Sequence, residues 1–470
     1  MKRILIYNWT RLDDPRPSGG VGFYTKRLVS SLIQNPDYEI FFLNSGYSYT
    51  FDGKLKIKAI PNSFGDRVKS FEIINSPVLA PSPGQSIKNI QKYFDDESLY
   101  FLLKEWLTSL NGLDVIHFQN LEGLSLKALN LKKDFPNTKF IYSLHNYFAI
   151  CPAVNLWNRG QNCDKKSFDD CTNCFRRRCY TTTKIARIFN NSIIAEGVNY
   201  HLFQNKAQDS DSLLFQKIFL ENKKAINTQI DSLLAVSNRV KDIFVSQGYD
   251  EKKIKVSYIG TKCAEQQQHS SNASISTNPF KIIYMGYMND FKGFYFLMDA
   301  LNLISEEISK NIHLTICAKY TKFKNSKELK KIDGLKSKFF KINLINGYNE
   351  SNQQQYLQNQ HLGIVPVLWE DNLPQVLIEQ IAYGVPVLCS DLGGGQEIIN
   401  NSDFVFKAAN TNDFINKLLN IYTNRSLLDS FWKTAKKLTT FKEHMAELEN
   451  IYEDDVIERT MAVAKHELGV

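Results

Sequence analysis

Apolar residues recur along this chain in two alternating rhythms. Short, nearly continuous apolar runs (RILIYN, EIFFLNS, DVIHFQ, KFIYSLH and SLLAVS) are each bounded by turn or helix signals and read as buried strands. Between them lie stretches with helical spacing. In VGFYTKRLVSSLIQN, Val21, Tyr24, Leu28, Val29 and Leu32 fall on one side. Strands of this kind separated by helices predict a mostly parallel sheet covered on both faces. The alternation restarts with KIIYMGY, FYFLMDALNLI, HLTICAK, INLING, LGIVPVLW, a helix containing LIEQIAYG, and PVLCSD. Residues 263–279, CAEQQQHSSNASISTNP, separate the two series with a polar, Gln/Ser/Asn-rich break that reads as a linker. The expected organisation is two α/β domains of similar wiring, 1–262 and 280–440. A helical tail, 441–470, follows, with a return onto the N-terminal domain as one option. No period of 20–50 residues repeats, which excludes a solenoid.

Composition narrows the class without naming a function. At 470 residues the chain is too long for one comfortable core, and 43% hydrophobic content with 12% aromatics excludes a mostly disordered protein. The formal charge of +8 is spread along the sequence. It suits anionic small molecules, an anionic membrane surface, or simply a basic solvated face. No basic tail or nucleic-acid motif stands out, so no nucleic-acid partner is expected. The start MKRILIYNWTRLDD reads as a strand rather than a signal peptide, and no run approaches the ~20 apolar residues of a membrane span. The expected location is therefore cytoplasmic, with any membrane contact peripheral. Eight cysteines in a chain of this size do not make a disulfide scaffold.

The densest chemistry lies in EDNLPQVLIEQIAYGVPVLCSDLGGGQEII, residues 370–399. Asp371 and Glu379 are separated by seven residues, with Pro374 where a helix start tolerates it. This places Asn372 and Leu373 in a loop entering a helix and Glu379 in the second turn. A helix N-terminus offers backbone N–H donors to anions, and a carboxylate beside it can accept the hydroxyls of a ribose or sugar. GGGQEII repeats the device, because glycines allow close backbone approach to a ligand before a helix begins. Taken alone, the two acids fit any helical protein and the glycines fit a flexible turn.

The whole segment nevertheless resembles the signature of family 4 retaining glycosyltransferases. The resemblance rests on Asp371, Glu379, Gly384, Pro386, Val387, Ser390, Asp391, Gly393, Gly394 and Glu397. It extends to SGGVGFYTKRL, DVIHFQN, SLHNYFAICP, LLAVSNRVKDIF and YMGYMNDFKGF, in order, from residue 1 to about 440. It implies the GT-B fold, two Rossmann-like α/β domains facing each other across a cleft. The N-terminal domain would bind the acceptor and the C-terminal domain the nucleotide sugar.

Site residues follow from the same resemblance. Asp371 would face the donor sugar, Glu379 the ribose diol, and Lys292 the diphosphate leaving group, with His145 close to the reacting sugar. Gly19 and Gly20 would approach the donor phosphates and acceptor, and Tyr287, Asn372, Leu373 and Gly394 would complete the donor side. A lone histidine at a strand end is also often a satisfied core residue. Two positions depart from the pattern. Asp371 stands where glutamate is usual, and Tyr287 stands where an arginine is usual, so a fixed guanidinium fork is missing. The implied chemistry needs no metal cofactor: Lys292 and backbone N–H groups would absorb the diphosphate charge. The donor would be a UDP- or GDP-sugar.

Four thiols, Cys163, Cys171, Cys174 and Cys179, cluster in NCDKKSFDDCTNCFRRRCY, inside a Cys-rich insertion near 151–180. They suit a structural zinc with Arg176 to Arg178 offsetting charge, and equally four free thiols or a redox-sensitive pair. Basic and aromatic residues in CFRRRCYTTTKIARIF suit either a membrane surface bearing a lipid-linked acceptor or a solvated face. The expected function is a hexosyltransferase of surface polysaccharide synthesis (capsule, O-antigen or lipopolysaccharide, exopolysaccharide). Alternatives are a sucrose- or trehalose-type small-acceptor transferase and a non-catalytic nucleotide-sugar-binding or scaffolding protein.

Overall fold

The computed structural model describes residues 1–14, 19–80, 92, 95–151, 153–158, 160–163, 168–178 and 209–454. The strands, in chain order, are β1 Lys2–Tyr7, β2 Tyr38–Ser48, β3 Lys56–Ala59, β4 Val68–Ile74, β5 Val115–Phe118 and β6 Lys139–Leu144. A small hairpin, β7 Trp157–Asn158 with β8 Gln161–Asn162, precedes β9 Ser232–Ala235 and β10 Ile254–Val256. The second half carries β11 Phe280–Met285, β12 Ile312–Ala318, β13 Lys341–Asn346, β14 Leu362–Val365, β15 Val387–Ser390 and β16 Val405–Phe406. The helices that matter here are α1 Gly19–Leu32, α2 Glu97–Ser109, α3 Phe168–Arg178, α4 Asp209–Gln229 and α5 Asn238–Ser246. They continue with α6 Phe294–Asn302, α7 Gln375–Ala382, α8 Gly395–Ile399 and α9 Phe441–Glu453.

Two separate parallel sheets result. The first is ordered β10-β9-β6-β5-β1-β2-β4-β3, parallel except where β3 runs against β4. The second, β13-β12-β11-β14-β15-β16, is parallel throughout. The runs RILIYN, EIFFLNS, DVIHFQ, KFIYSLH, SLLAVS, KIIYMGY, HLTICAK, INLING, LGIVPVLW and PVLCSD each contain a strand, while FYFLMDALNLI forms α6. In α1 the predicted stripe is buried at Tyr24, Leu28, Val29 and Leu32. β3, β4 and α2 lie in residues 50–110, where the apolar pattern is interrupted by lysines and glutamates. β3 is a partly exposed edge strand, which relaxes the need for a continuous apolar run.

The polar break at 263–279 is strapped to the second sheet's helices. Gln268 donates its backbone N–H to the carbonyl of Ala382 at 3.0 Å, and the Asn272 amide donates to the carbonyls of Leu357 and Tyr383. Asn272 thus serves as a side-chain ligand of the backbone in a segment that composition alone reads as linker. The chain then returns: α9 buries Phe441, Met445, Leu448, Ile451 and Tyr452 against Ile4, Ile6, Tyr24 and Leu28 of the N-terminal domain. Gly260 makes that crossing possible, since a side chain there would overlap the Thr440 carbonyl and the His444 Cβ.

Candidate active site

Parallel sheets gather functional groups at the carboxyl ends of their strands. Here both sheets do so, and the two ends meet. The loop after β14 runs through Trp369, Glu370 and Asp371 into α7, whose N-cap position is Pro374. Asp371 is 7% exposed and accepts from the Lys292 ammonium at 2.5 Å, while that ammonium also lies 5.3 Å from the centre of the Trp369 ring. Lys292 is held by the turn before α6. Its N–H donates to Asn289, and Gly293 next to it, at φ 73°, packs against the Pro366 carbonyl with no room for a side chain.

Glu379 sits in the second turn of α7. Its Oε2 is out of reach of solvent and has no hydrogen-bond partner among the described residues. Burial pushes its carboxyl up to about 7, with Arg27 of α1 opposing. Arg27 also pairs with Glu350, so α1 reaches across to the loop after β13. A Cβ on Gly20 would touch the Gln375 side chain at 3.4 Å, which brings the first turns of α1 and α7 face to face.

The glycines of LGGGQ make a close approach within the protein. A Cβ on Gly393, at φ +74°, would overlap the Asp371 carbonyl, and one on Gly394 would lie 2.5 Å from the Asn372 carbonyl and 2.7 Å from Ser237. These residues clamp the carboxylate loop between the two domains. Beyond them, Glu397 caps α5 of the N-terminal domain, accepting from the N–H groups of Asn238 at 3.0 Å and Arg239 at 2.6 Å and from the Tyr258 hydroxyl.

The N-terminal side supplies a histidine cluster. His145 follows β6; its Nε2 is 2.9 Å from Gln119 Oε1 and its ring centre 4.8 Å from that of Tyr24. Burial, with His444 nearby, holds its pKa down to about 3, so the ring is neutral at ordinary pH. The Tyr24 hydroxyl meets His444 Nε2 at 2.6 Å, and His117 bridges the hydroxyls of Tyr452 and Ser143. His145 is linked to the carboxylate loop through its neighbour, because the Asn372 amide donates to the Leu144 carbonyl at 3.4 Å.

Of the residues singled out from sequence, Asp371, Lys292, Glu379, Asn372, Gly20 and His145 converge on this cleft. Gly19 opens α1, Leu373 is buried in the core, and Tyr287 is 53% exposed with its carbonyl accepting from the Tyr284 hydroxyl. Sequence reasoning missed Arg27, Glu370, Arg239, Tyr24 and His444. Glu370 is 2% exposed and accepts two bonds from the Arg239 guanidinium, at 3.0 and 2.5 Å, and one from the Gly393 N–H. The adjacent acid in WED was the available signal. Charge pairing over 131 residues has no sequence mark.

Cys171 is buried and Cys174 partly buried on α3, and Cys163 precedes it. Cys179 lies outside the described residues, as does the rest of TTTKIARIF. Among the described residues no group of three or more His, Cys, Asp or Glu side chains is placed to hold a metal. Nor, among them, is any helix long and apolar enough to cross a membrane.

Two Rossmann-like domains with a cleft between their strand ends define the GT-B architecture, and solved GT-B glycosyltransferases match the chain over nearly its full length. A glycosyltransferase from Rickettsia africae is similar at 14% identity over 96% of this chain and 98% of its own, with a TM-score of 0.59. HepE of Anabaena, solved in complex with UDP, is similar at 13% identity over the whole of both chains, TM-score 0.54. A UDP-forming trehalose-phosphate synthase from Burkholderia xenovorans, solved with glucose-6-phosphate, is 12% identical over 96% of this chain and 100% of its own, TM-score 0.59. In sequence, residues 279–424 match the family described as glycosyl transferases group 1. No curated protein matches the chain.

Proposed function

We propose that the protein is a retaining glycosyltransferase that moves a hexose from a nucleotide sugar onto a glycan or lipid-linked glycan of a surface polysaccharide. The observation that carries this reading is the sealed Oε2 of Glu379, unpartnered among the described residues, on a helix whose first turn faces the Gly20 end of α1. A buried carboxylate oxygen without a partner is costly, and a ribose diol would satisfy it. UDP is the favoured nucleotide, because the Anabaena relative binds UDP.

In the proposed reaction the bond between the anomeric carbon and the diphosphate oxygen breaks as the acceptor hydroxyl bonds that carbon on the same face. The acceptor's proton passes to the departing diphosphate. Lys292, freed from Asp371 by the incoming anion, and the N–H groups at the start of α7 would stabilise the leaving charge without a metal cofactor. Asp371 would then turn to a sugar hydroxyl. Neutral His145 would position the sugar by hydrogen bonding and not act as a cationic acid. Tyr287 would offer at most one hydrogen bond where a guanidinium would add charge, so more of the task would fall on Lys292.

Thermal-shift screening against UDP-, GDP- and ADP-sugars, followed by nucleotide release with the binding donor, tests the reading. Stabilisation by UDP-sugars and turnover lost in Glu379→Ala is the expected result. Binding without turnover in any acceptor mixture would leave a non-catalytic sugar-nucleotide-binding protein.

A further inference from the structure

Glu370 stands beside Asp371 and belongs by chain position to the second domain, yet most of its ligands come from the first. Its Oε1 accepts from the Arg239 guanidinium at 2.5 Å and from the Asn162 amide at 3.1 Å. Its Oε2 accepts from Arg239 Nε at 3.0 Å and from the Gly393 N–H at 2.9 Å. Arg239 lies on α5 and Asn162 in the small hairpin of β7 and β8. An ionised carboxylate offers about four acceptor positions, and these bonds fill them. The Glu370 side chain is 3% exposed against 42% for Arg239, so a guanidinium reaching in from the surface seals a buried charge.

The local backbone transmits this grip to Asp371. The Asp371 N–H donates to the Trp369 carbonyl at 2.8 Å, a three-residue turn with Glu370 at its middle. On the other side the Asn372 carbonyl accepts from the Ser237 hydroxyl at 2.8 Å, and the Asn372 amide donates to the Leu144 carbonyl at 3.4 Å. Glu370 and Asn372 are thus both held by the first domain, and Asp371 hangs between them with its carboxylate on Lys292. The second domain contributes the Gly393 N–H on Glu370 and the Gly394 N–H on the Asp371 carbonyl at 3.0 Å. A buried carboxylate stripped of its guanidinium is strongly unfavourable. If the domains part, Glu370 must leave its seat, and the turn carries Asp371 with it. A buried ion pair can also be a brace and nothing more, and the two roles differ in what moves when the pair is cut.

We infer that Glu370 is a positioning residue: held by Arg239 and Asn162 of the first domain, it sets the placement of Asp371 against Lys292. This carboxylate–ammonium pair is therefore assembled only while the two domains are closed on each other. The consequence for turnover rests on the glycosyltransferase reading above; the coupling itself does not.

Fluorine NMR of the full chain carrying 5-fluorotryptophan at its five tryptophans tests the coupling, with Trp369 assigned by its loss in Trp369→Phe. Trp369 precedes Glu370 and its ring centre lies 5.3 Å from the Lys292 ammonium, so its resonance reports on this loop. Arg239→Met and Asn162→Ala are each expected to shift or broaden that resonance, and Arg239→Lys to move it less. Lys241→Met, which cuts the Lys241–Glu251 pair of the same helix, is expected to leave it in place. In nucleotide-release assays Arg239→Met should lower kcat by about 10²-fold, the scale of a misplaced catalytic group, with donor KM changed less than about threefold. A Trp369 resonance unmoved in both Arg239→Met and Asn162→Ala overturns the inference, even with a lower melting temperature, because the pair is then a brace. A fall in kcat no larger than that of Lys241→Met overturns it too. Absence of turnover in the wild-type protein counts against the glycosyltransferase reading instead, and the resonance alone then decides the coupling.

Discussion

The phenol of Tyr24 lies 2.6 Å from Nε2 of His444, joining the helix after the first glycine loop to the last helix described. Both groups are buried, and Tyr24 in turn packs on His145. The returning helix α9 is therefore part of the wall behind the proposed reacting centre.

Replacing His444 with Phe should leave the Tyr24 hydroxyl buried without its partner. The expected loss of stability is about 1–3 kcal/mol, with turnover falling while donor affinity holds. Chemical denaturation and the kcat-against-KM split check this. His444→Gln, which keeps an acceptor, should recover most turnover; no recovery would reduce the contact to packing.

Glu379 makes a pH prediction. Its folded pKa of about 7 is above the usual carboxyl value, so the folded state holds a proton that the unfolded chain has lost between roughly pH 4.5 and 7. Its contribution to stability thus falls as pH rises through that window. Donor binding should run the other way, because ribose hydroxyls donate to the ionised form. UDP-glucose affinity, measured by calorimetry at pH 5.5, 7 and 8.5, should rise and then level off. Glu379→Gln should bind weakly with no such rise, and an unchanged pH profile in that variant would remove Glu379 from the site.

Lys292→Met should cut nucleotide release by about 10²–10³-fold, the scale of losing one main electrostatic contact to a leaving group. Lys292→Arg should restore little, since a planar fork does not reproduce a point charge beside Asp371 and Trp369. Steady-state assays of the two variants with the donor found in screening decide it. Near wild-type rates in Lys292→Met would move the leaving-group role elsewhere.

Gly393→Ala should destabilise the carboxylate loop by at least about 2 kcal/mol, through both the positive φ and overlap with the Asp371 carbonyl. A lower melting temperature with loss of UDP stabilisation is the expected signature. An unshifted melting curve would mean that the loop adapts.

Much of the site's C-terminal half was legible because its parts are close in sequence. Pro374 starts α7, Glu379 falls in its second turn, and Gly393 lies one loop away. What the glycines approach was not legible: they clamp the Asp371–Asn372 backbone. Arg239 and Glu370, Arg27 and Glu350, and Tyr24 and His444 pair over long chain separations, and single charged or aromatic residues carry no periodic signal. β3 carries no strand signal in the sequence because a partly exposed edge strand need not be continuously apolar.

By itself the sequence determined the two alternating α/β series, their strands and the order of the motifs, since burial on both faces of a parallel sheet and helix-start chemistry act locally. Only the tertiary structure decided which ends meet. The α9 return places His444 behind Tyr24, the Glu397 cap on α5 joins the domains, and the strap at 263–279 lies on the second sheet's helices. Those choices depend on contacts between residues far apart in the chain, which become neighbours only once both sheets have formed.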